Sequence, residues 1–303
     1  MSSDVVAPSL EADPAGPTDF RELALRHGLG VSGARPPLPV YVRQLWDRRY
    51  FILAFSRAKL TSQYSQAKLG QLWQVATPLL NAGVFYLVFG VLLQAKRGVP
   101  DYIPFLVTGV FIWTYLQTSV MSGVKAISGN VGLVRALHFP RASLPLALCF
   151  QQFQQLMFSM IVLVVVLLGF GVPPSLHWLL AVPALATQSV FNVGLALIMA
   201  RAGSNTPDLA QLMPFILRTW MYLSGVMYSL SSKAKHMPEL VQSLLPLNPA
   251  AVYIDLMRFA LIDSFHASQL PRHVWLLAVG WALVVGIGGF VYFWKAEETY
   301  GRG

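Results

Sequence analysis

The run "VWLLAVGWALVVGIGGFVYFW", residues 274–294, has no charged side chain anywhere along its length. A helix on the surface of a soluble protein is apolar along one stripe only, whereas this run is apolar all round. Its length matches the roughly 20 residues that a helix needs to cross the hydrocarbon core of a bilayer. It is also too continuous for a barrel strand, whose apolar residues alternate with polar ones. Five more runs read the same way, at 72–93, 103–123, 144–170, 178–199 and 209–230. Backbone polar groups in lipid must be satisfied within the chain itself, so these runs are expected to be helices. The fold class expected is an all-α integral membrane protein with six transmembrane helices.

Composition agrees. The chain has 303 residues, of which 55% are hydrophobic and 12% charged, against about 25% charged in a typical soluble domain. Its net charge is +9. A basic balance can indicate nucleic-acid binding, but such a surface needs no long uncharged runs, so nucleic acid is not expected as a partner. In a membrane protein the same balance reflects Lys and Arg in cytoplasmic segments. Arg43, Arg48, Arg49, Arg57, Lys59 and Lys68 precede the first run, and Arg135 and Arg141 lie between the second and third. Arg201 stands before the fifth run, and Lys295 and Arg302 follow the sixth. Both termini are therefore expected in the cytoplasm, in a multi-pass protein of the cytoplasmic membrane. Lys96, Arg97, Lys233, Lys235, Arg258 and Arg272 run against this bias, although longer loops weigh less in the rule.

The first 39 residues are polar and rich in Pro and Gly, and are expected to be a disordered cytoplasmic segment without a signal peptide. An amphipathic region follows at 40–70. In "YVRQLWDRRYFILAF", residues 41–55, Val42, Leu45 and Trp46 recur at helical spacing, with Leu53 continuing the stripe, while Arg43, Asp47 and Arg48 lie elsewhere. Such a helix can lie along the inner headgroup layer, or it can be an ordinary soluble helix. The membrane domain is expected at 71–295 and a cytoplasmic tail at 296–303. In "LLPLNPAAVYIDLMRFALI", residues 244–262, Asn248 suits a helix N-cap and Pro249 the first helical position. Asp255 and Arg258 stand three residues apart, where they can pair. This helix is too short to span, so it reads as re-entrant or interfacial on the outer side, or as a plain surface helix.

Signatures of catalysis are few. There is no GxxxxGK[ST] phosphate loop, no HExxH and no CxxC. The one cysteine, Cys149, has no partner for an intramolecular disulfide, and the six histidines are scattered. No catalytic residue, metal site or cofactor is expected in this chain. A conduit for something polar and sugar-like fits better. Candidate pore-lining aromatics are Trp73, Tyr86 and Phe89 in the first run, Phe111, Trp113 and Tyr115 in the second, and Phe215, Trp220 and Tyr222 in the fifth. Trp and Tyr also collect at membrane interfaces for unrelated reasons. Arg218 falls inside the fifth run, where a charge should face protein or water; it can meet a substrate phosphate or mark the end of a later-starting span. Gln151, Gln152, Gln154 and Gln155 put a polar patch on the third run, suited to hydrogen bonds between helices.

Three stretches in order carry a family resemblance: "AKLGQLWQVATPLL" (67–80), "LVRALHFPRASLPL" (133–146) and "LNPAAVYIDLMRFAL" (247–261). The chain resembles the membrane subunit of ABC-2 type exporters, in the group that moves lipid-linked polysaccharides such as O-antigens and teichoic acids. "YIPFLVTGVFIWTY" and "VRALHFPRASLPL" are most similar to actinobacterial exporters of cell-wall galactan. The resemblance implies a homodimer joined to two copies of a separate ATPase subunit, which holds ATP and Mg. It implies an undecaprenyl- or decaprenyl-type lipid-linked substrate and a pore between the two permeases. It also implies that Arg135, His138, Phe139, Pro140 and Arg141 form the loop that contacts the ATPase. The helix bearing Arg43, Trp46, Arg48 and Arg49 would be a second contact, and the segment from Asn248 and Pro249 to Asp255 and Arg258 would shape the exit. A different reading is an integral-membrane glycosyl or acyl transferase using Asp255, Asp263 and His266.

Overall fold

The computed structural model describes residues 35–64, 69–92, 101–137, 139–229, 242 and 245–300. Among these the regular structure is helical: α1 (Leu38–Asp47), α2 (Arg49–Tyr64), α3 (Trp73–Phe85), α4 (Tyr102–Val124), α5 (Val131–Ala136), α6 (Ser143–Gly169), α7 (Ala181–Asn205), α8 (Leu209–Leu223), α9 (Pro249–Leu261) and α10 (Val274–Trp294). His138, and the cations Lys68, Lys96, Lys233 and Lys235, lie outside the described residues.

Helix α4 is the axis of the bundle. It is apolar all round, and α3, α6, α7, α8 and α9 pack about it, so Phe105, Leu106, Phe111, Ile112 and Leu116 are buried. Its hydroxyls bond back along their own helix, as Ser119 Oγ does to the Tyr115 carbonyl at 2.7 Å, which removes polar groups from the apolar interior. Helix α10 is apolar all round for another reason. Leu276, Val279, Leu283, Val284 and Ile287 remain exposed on it, as suits a face turned to lipid. Its other face meets α7 backbone to backbone. A Cβ on Gly194 would strike the Val285 carbonyl, and one on Gly289 would strike the Gly194 carbonyl. Small residues permit such close approach where no hydrophobic force drives helices together.

Among the described residues, four helices are long and apolar enough to cross a bilayer: Tyr102–Val124, Ser143–Gly169, Leu176–Asn205 and Val274–Trp294. The other two expected runs take a different form. The run at 72–93 is α3 followed by a π-helical segment, Tyr86–Leu92. Pro78 within α3 has no N–H to give the Gln74 carbonyl, and Gln155 Nε2 of α6 donates to that carbonyl at 2.8 Å instead. The run at 209–230 is helical only to Leu223. At 15 residues α8 is about 22 Å long, short of the ~30 Å core. It stops at Gly225, whose φ of +63° is the left-handed conformation that ends helices.

Three features surround the spans. Arg35 to Pro37 lie against the end of α10, and α1 starts at Leu38. The amphipathic region is two helices meeting at Arg48 rather than one. The tail after α10 is not free, because Ala296, Glu297 and Tyr300 are buried.

Candidate functional site

Two polar assemblies stand at separate places in the bundle. The first gathers three distant segments around Glu297. The Tyr41 hydroxyl donates to Glu297 Oε2 at 2.7 Å, and the Arg141 backbone N–H donates to Oε1 at 2.8 Å. The Arg141 guanidinium reaches the Glu297 carbonyl, and the Ala142 N–H donates to the Tyr41 hydroxyl oxygen at 3.1 Å. The start of α1, the turn before α6 and the segment after α10 thus close into one ring of hydrogen bonds. Burial pushes the Glu297 carboxyl above its ordinary range, and the bonds from Arg141 and Tyr41 partly offset this. Beside the ring, Trp294 Nε1 donates to the Pro36 carbonyl at 3.0 Å and the Arg35 guanidinium stacks on Trp294 at 4.4 Å. The Arg35 N–H donates to Glu298 Oε1 at 2.9 Å.

This ring sorts the residues of the expected ATPase loop. Arg141 is turned inward onto Glu297, and Pro140 is buried. Phe139 packs on Phe51 of α2, with ring centroids 5.3 Å apart, so the loop is fastened to the amphipathic pair. Arg135, at the end of α5, and Leu137 remain exposed. On α1, Arg43 and Trp46 are exposed while Leu45 and Tyr41 face the bundle, and Arg48, at the junction with α2, is exposed too. Arg49 lies over Tyr50 at 4.4 Å and donates to the Trp46 carbonyl at 3.0 Å. Tyr41 and Glu297 carried no motif. Their one signal was a carboxylate just past the last apolar run, in a chain with few acids.

The second assembly centres on Arg258, which is 1% exposed. Asn248 caps α9 by accepting from the Ala250 N–H at 3.1 Å, with Pro249 opening the helix. The same Asn248 accepts from Trp220 Nε1 at 2.8 Å and donates to the Leu223 carbonyl, binding α9 to the end of α8. Nearly all of α9 is buried, against α4, α7 and α10, so it is not a surface helix. Arg258 pairs with Asp255 at 3.2 Å, as their spacing allows. Its guanidinium also donates to the carbonyls of Phe105, Gly225 and Val226 and stacks on the Phe105 ring at 3.4 Å. The carbonyls of the turn just after α8 thus meet a cation, close to the negative end of that helix. Gly109 leaves room for the guanidinium, since a Cβ there would lie 2.5 Å from Arg258 Nη2.

These contacts decide two further expectations. Asp255 is committed to Arg258, while Asp263 and His266 are exposed, so the three do not form a catalytic cluster. Among the candidate pore aromatics, Phe111, Trp113 and Tyr115 are buried within the protomer. Trp113 meets Trp220 edge-on at 5.7 Å, and the Tyr115 hydroxyl donates to Ser189 Oγ at 3.0 Å. Tyr86 and Phe89 are half-buried against the core. Trp73, Phe215, Tyr222 and Arg218 face outward from the protomer. Gln151 and Gln155 make hydrogen bonds between helices, to Gln63 and to Gln74.

A family model described as "ABC-2 type transporter" matches residues 50–262. A Klebsiella pneumoniae protein named O-antigen export system permease protein RfbA is 26% identical over 204 residues, covering 67% of this chain and 76% of that protein. A Myxococcus xanthus protein of the same name is 28% identical over 191 residues, covering 63% and 73%. The polysialic acid transport protein KpsM of Escherichia coli is 22% identical over 213 residues, covering 68% and 79%.

Proposed function

This chain belongs to the ABC-2 type transporter family, and from that premise we propose that it is the permease half of an ATP-driven exporter of a lipid-linked polysaccharide, a cell-wall galactan. It is a transport subunit in the membrane and not an enzyme; relatives named for O-antigen and polysialic acid export support a polysaccharide as cargo. A separate ATPase, in two copies, supplies the energy and holds ATP and Mg. Two permeases form the conduit. The outward-facing Trp73, Phe215, Tyr222 and Arg218 suit the wall between them, since aromatic faces can hold sugar rings loosely and the guanidinium can meet a carrier phosphate.

The observation that carries the coupling is the Glu297 ring. A push on the loop at Arg135 and Leu137 is delivered through Arg141 and Ala142 to α1 and α10 together. The contact of Arg35 with Glu298 puts both described ends of the chain at one end of the bundle. The excess of Lys and Arg at that end supports placing it in the cytoplasm. The deciding experiment is affinity purification of the tagged chain from its native membrane. It is expected to bring down an ATPase subunit without membrane spans, and ATP is expected to drive export of a galactan-bearing lipid in vesicles holding both. Purification without any ATPase would end the coupling proposal, and export of some other glycan would end the galactan assignment alone.

A further inference from the structure

An apolar groove lies between α1, α7 and α10, beside the Glu297 ring. It is open along one side and holds about 530 Å³, within the roughly 300–1,000 Å³ typical of small-ligand sites. Leu38 and Val42 of α1 form one wall, Val190 and Val193 of α7 another, and Ile287 and Val291 of α10 the third. The lining is almost wholly apolar. Val42, Val190 and Ile287 stand exposed at its lips. Its shape follows from the fold: α7 and α10 touch at Gly194 and Gly289, and α1 crosses their end, held by Tyr41 and the Trp294–Pro36 bond.

Charge at one mouth of the slot is specific. Arg201 lies one turn beyond Leu197, a lining residue of α7, and its guanidinium donates to the carbonyl of Tyr292 at 2.6 Å, next to the lining Val291. It stacks on the Tyr292 ring at 4.0 Å, which fixes its direction, yet its Nε is buried with no hydrogen-bond partner. Arg43, exposed, follows Val42 on α1. The Nε is covered by protein and out of a ligand's reach, but the residue as a whole is only half-buried, so the outer edge of its guanidinium can meet an anion. An apolar slot with a cation one turn beyond its lining suits an acyl chain carrying a phosphate.

We propose that this slot is a binding site for an anionic phospholipid of the surrounding membrane, with a chain between α1, α7 and α10 and its phosphate at Arg201 and Arg43. The lipid comes from the leaflet at the end where Arg35 meets Glu298. It completes the packing of α1 against the bundle, so the amphipathic helix is held by lipid on one side and by the Glu297 ring on the other. The site is separate from the outward aromatics assigned to the conduit, and it stands whether or not the ATPase coupling does.

The test is native mass spectrometry of the full chain released from nanodiscs of phosphatidylglycerol and phosphatidylcholine, equimolar and with identical chains. The wild type is expected to retain phosphatidylglycerol about tenfold over phosphatidylcholine. Arg201→Gln should keep the bound lipid but lose that preference. Val190→Trp with Ile287→Trp, both at exposed positions, should lose the retained lipid while circular dichroism and elution volume stay as in the wild type. An unchanged preference in Arg201→Gln overturns the proposal, because this variant leaves the apolar walls of the slot intact. Unchanged retention in the double tryptophan variant also overturns it. Loss of a dimer without loss of lipid would assign the slot to a second copy, and displacement by equimolar polyprenyl phosphate would assign it to a lipid carrier.

Discussion

Arg258 is a cation in the interior of a membrane protein, and its value lies in how many acceptors converge on it. Three backbone carbonyls and the Asp255 carboxylate surround it. Arg258→Met would leave the Asp255 carboxylate and the carbonyls of the turn after α8 unpaired, and is expected to destabilise by roughly 3–5 kcal/mol. Arg258→Lys keeps the charge but cannot reproduce the planar fork, so a loss of about 1–3 kcal/mol is expected. Thermal unfolding in detergent, followed by tryptophan fluorescence, gives the order; a methionine variant as stable as the wild type would refute this role. Glu297 acts in the opposite sense. Its carboxyl is raised by burial, so the folded chain binds its proton more tightly than the unfolded chain does. Its contribution is fully present below the ordinary carboxylate pKa of about 4.3 and is lost as pH rises through the raised value. Glu297→Gln should therefore flatten the fall in unfolding temperature from about pH 4 upward. An identical slope in wild type and variant would show that another group governs it.

Among elements, α3 and the α7–α10 pair show how backbone chemistry sets packing. Gln155 compensates the bond that Pro78 removes from α3. Gln155→Ala should cost about 1 kcal/mol. In a Pro78→Ala background residue 78 regains its N–H, the Gln74 carbonyl has a helical partner again, and the cost of Gln155→Ala should shrink. Additive effects in this double-mutant cycle would deny the coupling. The α7–α10 contact has no slack, since Gly194 meets backbone rather than the end of a flexible side chain. Gly194→Leu is expected to cost at least about 1–3 kcal/mol through forced separation of the helices, read as a lower unfolding temperature. Gly280 has open space at its Cβ, so Gly280→Leu is the matched control expected not to lower it.

For the molecule as a whole, the Glu297 ring separates residues that hold the fold from residues free to meet a partner. Arg135 is exposed, whereas Arg141 is tied to Glu297. Arg135→Glu is expected to weaken ATPase copurification severalfold with an unchanged unfolding temperature, a scale set by one or two charge-assisted contacts. Arg141→Glu is expected to lower the unfolding temperature even in the isolated permease, because it sets a second carboxylate beside Glu297. Equal behaviour of the two variants in both assays would mean that the ring does not divide the loop in this way.

How much of this was legible without coordinates depended on whether the signal was local. The span at 274–294 and the Asn248–Pro249 start of α9 came out as read, because an uncharged run and a helix cap are properties of consecutive residues. The Asp255–Arg258 pair was legible for the same reason, being one turn apart. The end of α8 at Gly225, the ring joining Tyr41, Arg141 and Glu297, and the inward burial of Phe111, Trp113 and Tyr115 were not. Each depends on residues about 30 to 260 positions apart in sequence meeting in space. A sequence pattern shows which residues are apolar but not whether an apolar face meets lipid or another helix, since both are equally greasy. The chain's sequence by itself determined that it is helical and lies in a membrane. Only tertiary packing decided which helices fill the interior, where the broken backbone finds its partners, and which cations remain free.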